Sequence, residues 1–268
     1  MLCNVVPQYL CTKEAVVQAL RDETFGYSVQ DIRDLRDQKR EGRWVEWLIR
    51  PEVEGVAVEA GRFVTSVNEA GLARMLDGKV ISAALNWMKN ANDVYRCSIN
   101  VSAESVSYFG FTHAVSKEIE RSGVDPRRLC FEITEFQPIS NLEAATLFAK
   151  TMRELGSSMA LDDFGRGVMH MDLCAPFNYV DYIKIDRACT GPATKSHAHR
   201  KLLHGLVHFG RSVGAEIVAE GVETARHLTM VEDLGIEYYQ GYFHGKPVRV
   251  QGTESSEECL YEQYYTAS

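Results

Sequence analysis

The chain has 268 residues, 45% hydrophobic and 25% charged, which supplies a full core and excludes a disordered chain. Its formal net charge of −8 argues against binding to DNA or another nucleic-acid backbone, which needs a basic surface. No run approaches the roughly 18 apolar residues of a membrane span, the start MLCNVVPQYLCTKE does not read as a secretory signal, and seven scattered cysteines with no CxxC pair fit reduced thiols in a cytoplasmic protein.

In chain order, residues 12–21 (TKEAVVQALR) read as a helix capped by Thr12. Residues 26–35 and 43–50 flank the charged turn DQKREG and predict a hairpin or two adjacent strands. Then a rhythm sets in. The apolar runs WVEWLI, CSINVS, LCFEIT, MALDD, YIKID, EIVAE and EYYQG alternate with stretches of helical period, such as 74–90, 141–155, 200–213 and 223–233. Strands alternating with helices of this length mean βαβ units and a parallel sheet. About seven or eight such units in roughly 240 residues favour a closed barrel over an open doubly wound sheet, and no GxGxxG loop is present to support the latter.

In such a barrel the C-terminal ends of the strands form the active face. Those ends carry Glu46, Asn100, Glu132, Asp162 with Asp163, Lys184, Glu220 and Gln240. Adjacent carboxylates repel each other, so the pair Asp162 and Asp163 at a strand end calls for a cation between them. The plainer alternative is that Asp162 caps the next helix and Asp163 is solvated. The recurrence of polar strand ends favours a convergent site of carboxylates, amides and a lysine. Carboxylate and amide oxygens suit Mg²⁺ or Mn²⁺ and not zinc. Two such ions clamp a phosphodiester, and a lysine among the acids orients the attacking water or meets the phosphate. This chemistry points to metal-assisted hydrolysis of a phosphate ester, with a one-metal enolate enzyme as the other reading.

Seven motifs stand in order over about residues 20–250: EWLIR at 46–50, INVSA at 99–103, FEITE at 131–135, LDDFG at 161–165, YIKIDR at 182–187, VAEGVET at 218–224 and QGYFHGKP at 240–247. In this the chain resembles the EAL family of bacterial cyclic di-GMP phosphodiesterases. The resemblance implies an α/β fold, a modified TIM (β/α)8 barrel with one antiparallel strand, here a single domain over 1–268 with short extensions around the core. It implies hydrolysis of cyclic di-GMP to linear pGpG with Mg²⁺ or Mn²⁺, as two ions, and inhibition by Ca²⁺. By position, Glu46, Asn100, Glu132, Asp162 and Asp163 would be metal ligands. Lys184, Glu220 and Asp163 would take part in catalysis, and Leu48, Arg50 and Gln240 would contact ligand or water. Glu135 would anchor the loop after the aspartate pair, and Glu223 would support the site from one layer further out. A homodimer and a regulatory protein partner are compatible with the resemblance.

Three departures bear on these expectations. Trp47 replaces the alanine that names the family; as strand neighbours point to opposite faces, it is expected to face the helix layer and be tolerated. GRGVMHMDL at 165–173 replaces GTGYSSL, which puts rate and regulation in question but not the ligand set. GRFVTS at 61–66 lacks the usual proline of a segment that edges the ligand pocket. Lys184, between Ile183 and Ile185, needs an acid partner such as Asp162 or Asp163. Asp186 is read as structural, accepting local backbone hydrogen bonds. His204 and His208, with i, i+4 spacing, are read as a solvated or partly buried face, since no third metal ligand is evident. The acidic, tyrosine-rich tail 250–268 is expected to fray or pack on the exterior. The alternatives to an enzyme are a weak or inactive cyclic di-GMP receptor acting through a protein partner, and a scaffold that binds no nucleotide.

Overall fold

The computed structural model describes residues 12–23, 25–37, 39–134, 139–166 and 176–250. Helix α1 (Lys13–Arg21) is capped by the Thr12 side chain, as the sequence predicts, and leads into β1 (Phe25–Asp34) and β2 (Arg43–Val53). A two-residue β3 (Val56–Ala57) pairs back on β2; α2 (Ala60–Glu69), α3 (Ala73–Met88) and β4 (Val94–Val101) follow. Next come α4 (Ala103–Val106), α5 (Phe109–Ser122), β5 (Leu129–Thr134), α6 (Leu142–Leu155) and β6 (Ser158–Phe164). Then come β7 (Tyr182–Ile185), α7 (Arg187–Ala193), α8 (His197–Ser212), β8 (Glu216–Ala219), α9 (Ala225–Asp233), β9 (Tyr238–Gln240) and β10 (Val248–Arg249).

Eight strands close into a barrel in the order β1, β2, β4, β5, β6, β7, β8, β9, with β9 returning to β1. All neighbours are parallel except at β1, which runs antiparallel to both β2 and β9. The cause is local. Only residues 35–42 separate β1 from β2, a link long enough for a hairpin and too short for the crossover that parallel neighbours need.

The period-two alternation of the strands builds two layers inside the barrel. Trp44, Cys130, Ala160, Tyr182, Val218 and Tyr238 form an apolar cluster that plugs the lower half. Two residues further along each strand stand Glu46, Glu132, Asp162, Lys184, Glu220 and Gln240. Similarly, Ser98, which accepts a hydrogen bond from Trp44 Nε1 (2.9 Å), precedes Asn100. The outward residues, such as Val45, Trp47, Phe131 and Ile133, pack against the helices. Trp47 is buried there, stacked on Tyr27 with ring centroids 4.7 Å apart and tilted against Trp87 of α3. GRFVTS lies within α2, whose Phe63 and Val67 are buried.

Candidate active site

Lys184 Nζ is the centre of the polar layer. It lies 2.7 Å from Glu132 Oε2, 3.0 Å from Asp162 Oδ1, 3.0 Å from Glu220 Oε1 and 3.3 Å from Glu46 Oε2. These acids come from four strands or strand ends, and the lysine itself is 1% exposed. Glu46 is held further by Asn100 Nδ2, which donates to Oε1 (3.0 Å), and Gln240 Nε2, which donates to Oε2 (2.8 Å).

An ammonium has three protons, so four carboxylates cannot all be satisfied by it. The deficit is visible. Glu132 Oε1 is buried with no hydrogen-bond partner, and Asp162 Oδ1 is near the ammonium but out of hydrogen-bond alignment. Four carboxylates against one ammonium also leave an excess of three negative charges if all ionise. The excess appears as perturbed acidities. Burial, then the charges of Glu46 and Asp162, push Glu132 up to about 8 despite Lys184. Burial likewise raises Asp162, and it raises Glu220 well above its ordinary value. Burial also works against Glu46, but Lys184 and the two amide donors outweigh it and hold Glu46 low. The four acids in turn keep Lys184 charged against the cost of burial. A buried cluster of hard oxygen donors with surplus negative charge and orphaned lone pairs fits a divalent cation. One oxygen each from Glu46, Glu132 and Asp162 lies within 4.8 Å of the others.

A second acidic group, Asp163, Asp186 and Glu220, meets the same distance limit. On a regular strand Asp163 would point away from Asp162. Two irregularities prevent that: the β6–β7 register shifts between Leu161 and Phe164, and Asp163 adopts φ +58°. Aspartate tolerates this left-handed conformation better than most residues. Asp186 caps α7, accepting from Ala188 N (2.6 Å), so its local hydrogen bond is as expected. Its place beside Asp163 and Glu220 was not expected. Burial, followed by the charge of Asp162, pushes Asp163 up to about 7.

Beside the acids opens a cavity of about 590 Å³, lined among others by Leu48, Leu76, Val80, Val101, Arg50 and Asp77. Gly61 and Val64 of the GRFVTS segment also edge it. Arg50 donates to the Ile49 carbonyl (3.0 Å). Burial lowers its guanidinium's basicity, countered in part by Glu46 and Tyr242. Asp77 is buried and accepts from Ser102 N (2.8 Å), Ser102 Oγ (2.6 Å) and Ser105 Oγ (2.5 Å). A smaller cavity of about 180 Å³ lies across Leu48, with Glu46, Glu220, Glu223, Gln240 and Tyr242 in its wall.

The structure thus gathers Glu46, Asn100, Glu132, Asp162, Lys184, Glu220 and Gln240 at one rim, with Asp163 beside them and Leu48 and Arg50 in the cavity wall. Glu223 is exposed at the mouth of the smaller cavity. Glu135, residues 167–173 and the tail beyond Val250 lie outside the described residues. His204 and His208 are exposed on α8. Sequence reasoning did not single out Asp77 or Arg166 and underrated Asp186; for Asp186 the available signal was its position two residues after Lys184.

Comparison with known proteins gives a consistent result. The EAL domain profile matches residues 13–247. The chain is 28% identical over 240 residues to the cyclic di-GMP phosphodiesterase PdeB of Shewanella oneidensis, covering 87% of this chain and 27% of that protein. It is 29% identical over 234 residues to the cyclic di-GMP phosphodiesterase PdeF of Escherichia coli, covering 86% and 31%. The chain therefore spans less than a third of either relative. In fold it is similar to the FimX EAL domain of Pseudomonas aeruginosa bound to c-di-GMP, with a TM-score of 0.76 at 23% identity, over 92% of this chain and 99% of that one.

Proposed function

The chain belongs to the EAL domain family, and on that premise we propose that it hydrolyses cyclic di-GMP to linear pGpG with Mg²⁺ or Mn²⁺. The observation that carries this reading is the ammonium of Lys184 within 3.3 Å of four carboxylates, three of them buried, whose charge it cannot balance. Glu46, Asn100, Glu132 and Asp162 would hold one cation, and Asp163 with Asp162 would take part in holding a second. When bound, such ions supply a nucleophilic hydroxide at neutral pH and neutralise charge growing on the phosphoryl oxygens.

The chain's own residues do the rest. Lys184, kept charged by its acid shell, orients the attacking water and offsets negative charge near the phosphorus. Glu220 completes that shell, and Gln240 fixes the Glu46 carboxylate so that it presents one orientation. Arg50, poorly supplied with anions, meets a ligand phosphate with its planar fork, while Leu48 gives the bases an apolar surface between the two cavities. Glu223 supports the rim of the smaller cavity. We assign Glu135 the role of anchoring the loop after the aspartate pair on the resemblance alone, and likewise propose a homodimer and a regulatory partner. Among the described residues no helix is long and apolar enough to cross a membrane. The buried, unoxidised thiols of Cys97 and Cys130 suit a reducing compartment, so we place the reaction in the cytoplasm.

The test is product analysis: protein, cyclic di-GMP and Mg²⁺, Mn²⁺ or Ca²⁺, followed for pGpG. Product with the first two and not with Ca²⁺ is expected, and Glu46→Ala or Asp162→Ala should abolish it. An unchanged rate in either variant refutes the site assignment. Binding without product in the wild type would make the chain a receptor.

A further inference from the structure

The large cavity is lined by a second arginine to which the proposed chemistry gives no role. Arg166 follows β6 on a turn in which Gly165 adopts φ +88° and the Arg166 N–H donates to the Asp163 carbonyl (3.2 Å). Its side chain is 58% exposed, and its guanidinium stands 3.8 Å from Asp163 Oδ1, at ion-pair distance but beyond hydrogen-bond reach. Arg50 reaches the same cavity from β2. In the barrel, β4 and β5 lie between β2 and β6, so the two guanidiniums enter from separate sides of one mouth. Of the acids lining that cavity, Asp77 is bonded by two serines, and Asp163 stands close to Asp186 and Glu220 as well as to Arg166.

We propose that Arg166 is a second substrate-binding arginine, which grips a phosphate of the dinucleotide from the side opposite Arg50. This rests on the functional reading above and deepens it. A cyclic dinucleotide carries two phosphates, and a cavity served by guanidiniums from two strands matches a ligand with two anionic groups. Arginine is suited to this because its fork offers two parallel N–H donors to phosphate oxygens. The loose contact with Asp163 adds a second consequence. A cation held at Asp163 would compete with Arg166 for that carboxylate and so shift the balance of the guanidinium's contacts toward the ligand. Metal and dinucleotide binding are then coupled through this one side chain, and the coupling is reciprocal.

The experiment compares wild type with Arg166→Thr, Arg166→Lys and Arg166→Glu. Binding of cyclic di-GMP is measured by calorimetry with and without Ca²⁺, and KM and kcat are measured with Mn²⁺. Arg166→Thr should raise Kd and KM about tenfold or more, with a much smaller change in kcat, because charge-assisted hydrogen bonds to phosphate are lost. Arg166→Glu should weaken binding further, Arg166→Lys should recover part of it, and the ratio of Kd values without and with Ca²⁺ should shrink in Arg166→Thr. The melting temperature should stay that of the wild type, as the side chain is mostly exposed. A Kd for Arg166→Thr within twofold of wild type overturns the proposal and leaves the functional reading intact. A wild type that neither binds nor cleaves cyclic di-GMP overturns the functional reading, and this proposal with it.

Discussion

Replacing Lys184 by methionine is the sharpest perturbation of the site. Methionine keeps the length and apolar stem of lysine and removes only the charge. Nothing then offsets Glu46, Glu132, Asp162 and Glu220, all within 3.3 Å of the missing nitrogen. Removing one partner of a buried ion pair costs about 3–5 kcal/mol. That is a large part of the roughly 5–15 kcal/mol that holds a domain together, and in a chain of this size it lowers Tm by roughly 10 °C. The cost is capped by protonation, because a carboxyl that takes up a proton no longer needs the ammonium. Glu132 and Glu220 already lean that way. The loss should therefore be largest above pH 8 and much smaller near pH 5.5. Denaturant unfolding of the EDTA-treated variant and wild type at pH 5.5, 7 and 8.5 measures it, with pGpG formation as a parallel readout. A variant as stable as wild type at pH 8.5, or a loss that does not vary with pH, would refute the electrostatic account of the cluster.

The metal-free protein should itself lose stability as pH rises. Glu132 titrates near 8 and Asp163 near 7 in the folded state, against 4.5 and 3.8 as ordinary values. Between those limits the folded chain binds more protons than the unfolded chain, so this contribution is full below about pH 4 and is lost as pH climbs through 7 to 8. Mn²⁺ competes with those protons, so its stabilisation, read as Tm with Mn²⁺ minus Tm with EDTA, should be larger at pH 8 than at pH 6; the reverse order contradicts the assignment. Trp47→Ala should cost about 3–5 kcal/mol by leaving a cavity between Tyr27 and Trp87, seen as a lower denaturant midpoint, while pGpG formation survives in the folded fraction. Gly241→Ala would place a Cβ 2.2 Å from the Val222 carbonyl oxygen and displace the neighbouring Gln240, whereas Gly245→Ala meets nothing within 4 Å. A loss of about 3 kcal/mol in the first and none in the second, by the same unfolding assay, is expected.

How legible this was in the sequence depends on the range of the interaction. The short parallel strands announce themselves because each carries its own alternation, and an apolar residue two places before most of the polar ones is a local pattern: Tyr182 before Lys184, Tyr238 before Gln240. The convergence of those polar residues then follows from barrel closure alone. α3, though it lacks a side-chain cap, was legible from its 16-residue length; shorter helices without one were harder to see. Neither α2 nor α5 has one, at Glu59 or at Tyr108, and neither was predicted. α7 is short and contains Pro192, so its period is too brief to read. The turn of Asp163 toward the rim was illegible for another reason. It depends on a register shift against β7 and on a positive φ, and neither leaves a mark in a run that reads simply as a strand end.

That same turn explains why two adjacent aspartates can serve one site. A regular strand gives the rim one side chain per strand, and the seven inward polar residues already use that allowance. The irregularity around Asp162 adds an eighth side chain, the second from β6, and sets it against Asp186, which the end of β7 delivers, and Glu220, from just after β8. The cost is a cluster of like charges that only protons or cations can relieve, and Lys184 relieves too little of it. The fold therefore does not settle the charge of its own centre. It fixes the positions of the oxygens rigidly and leaves their neutralisation to whatever cation is bound, so metal affinity, acidity and stability at this rim must change together.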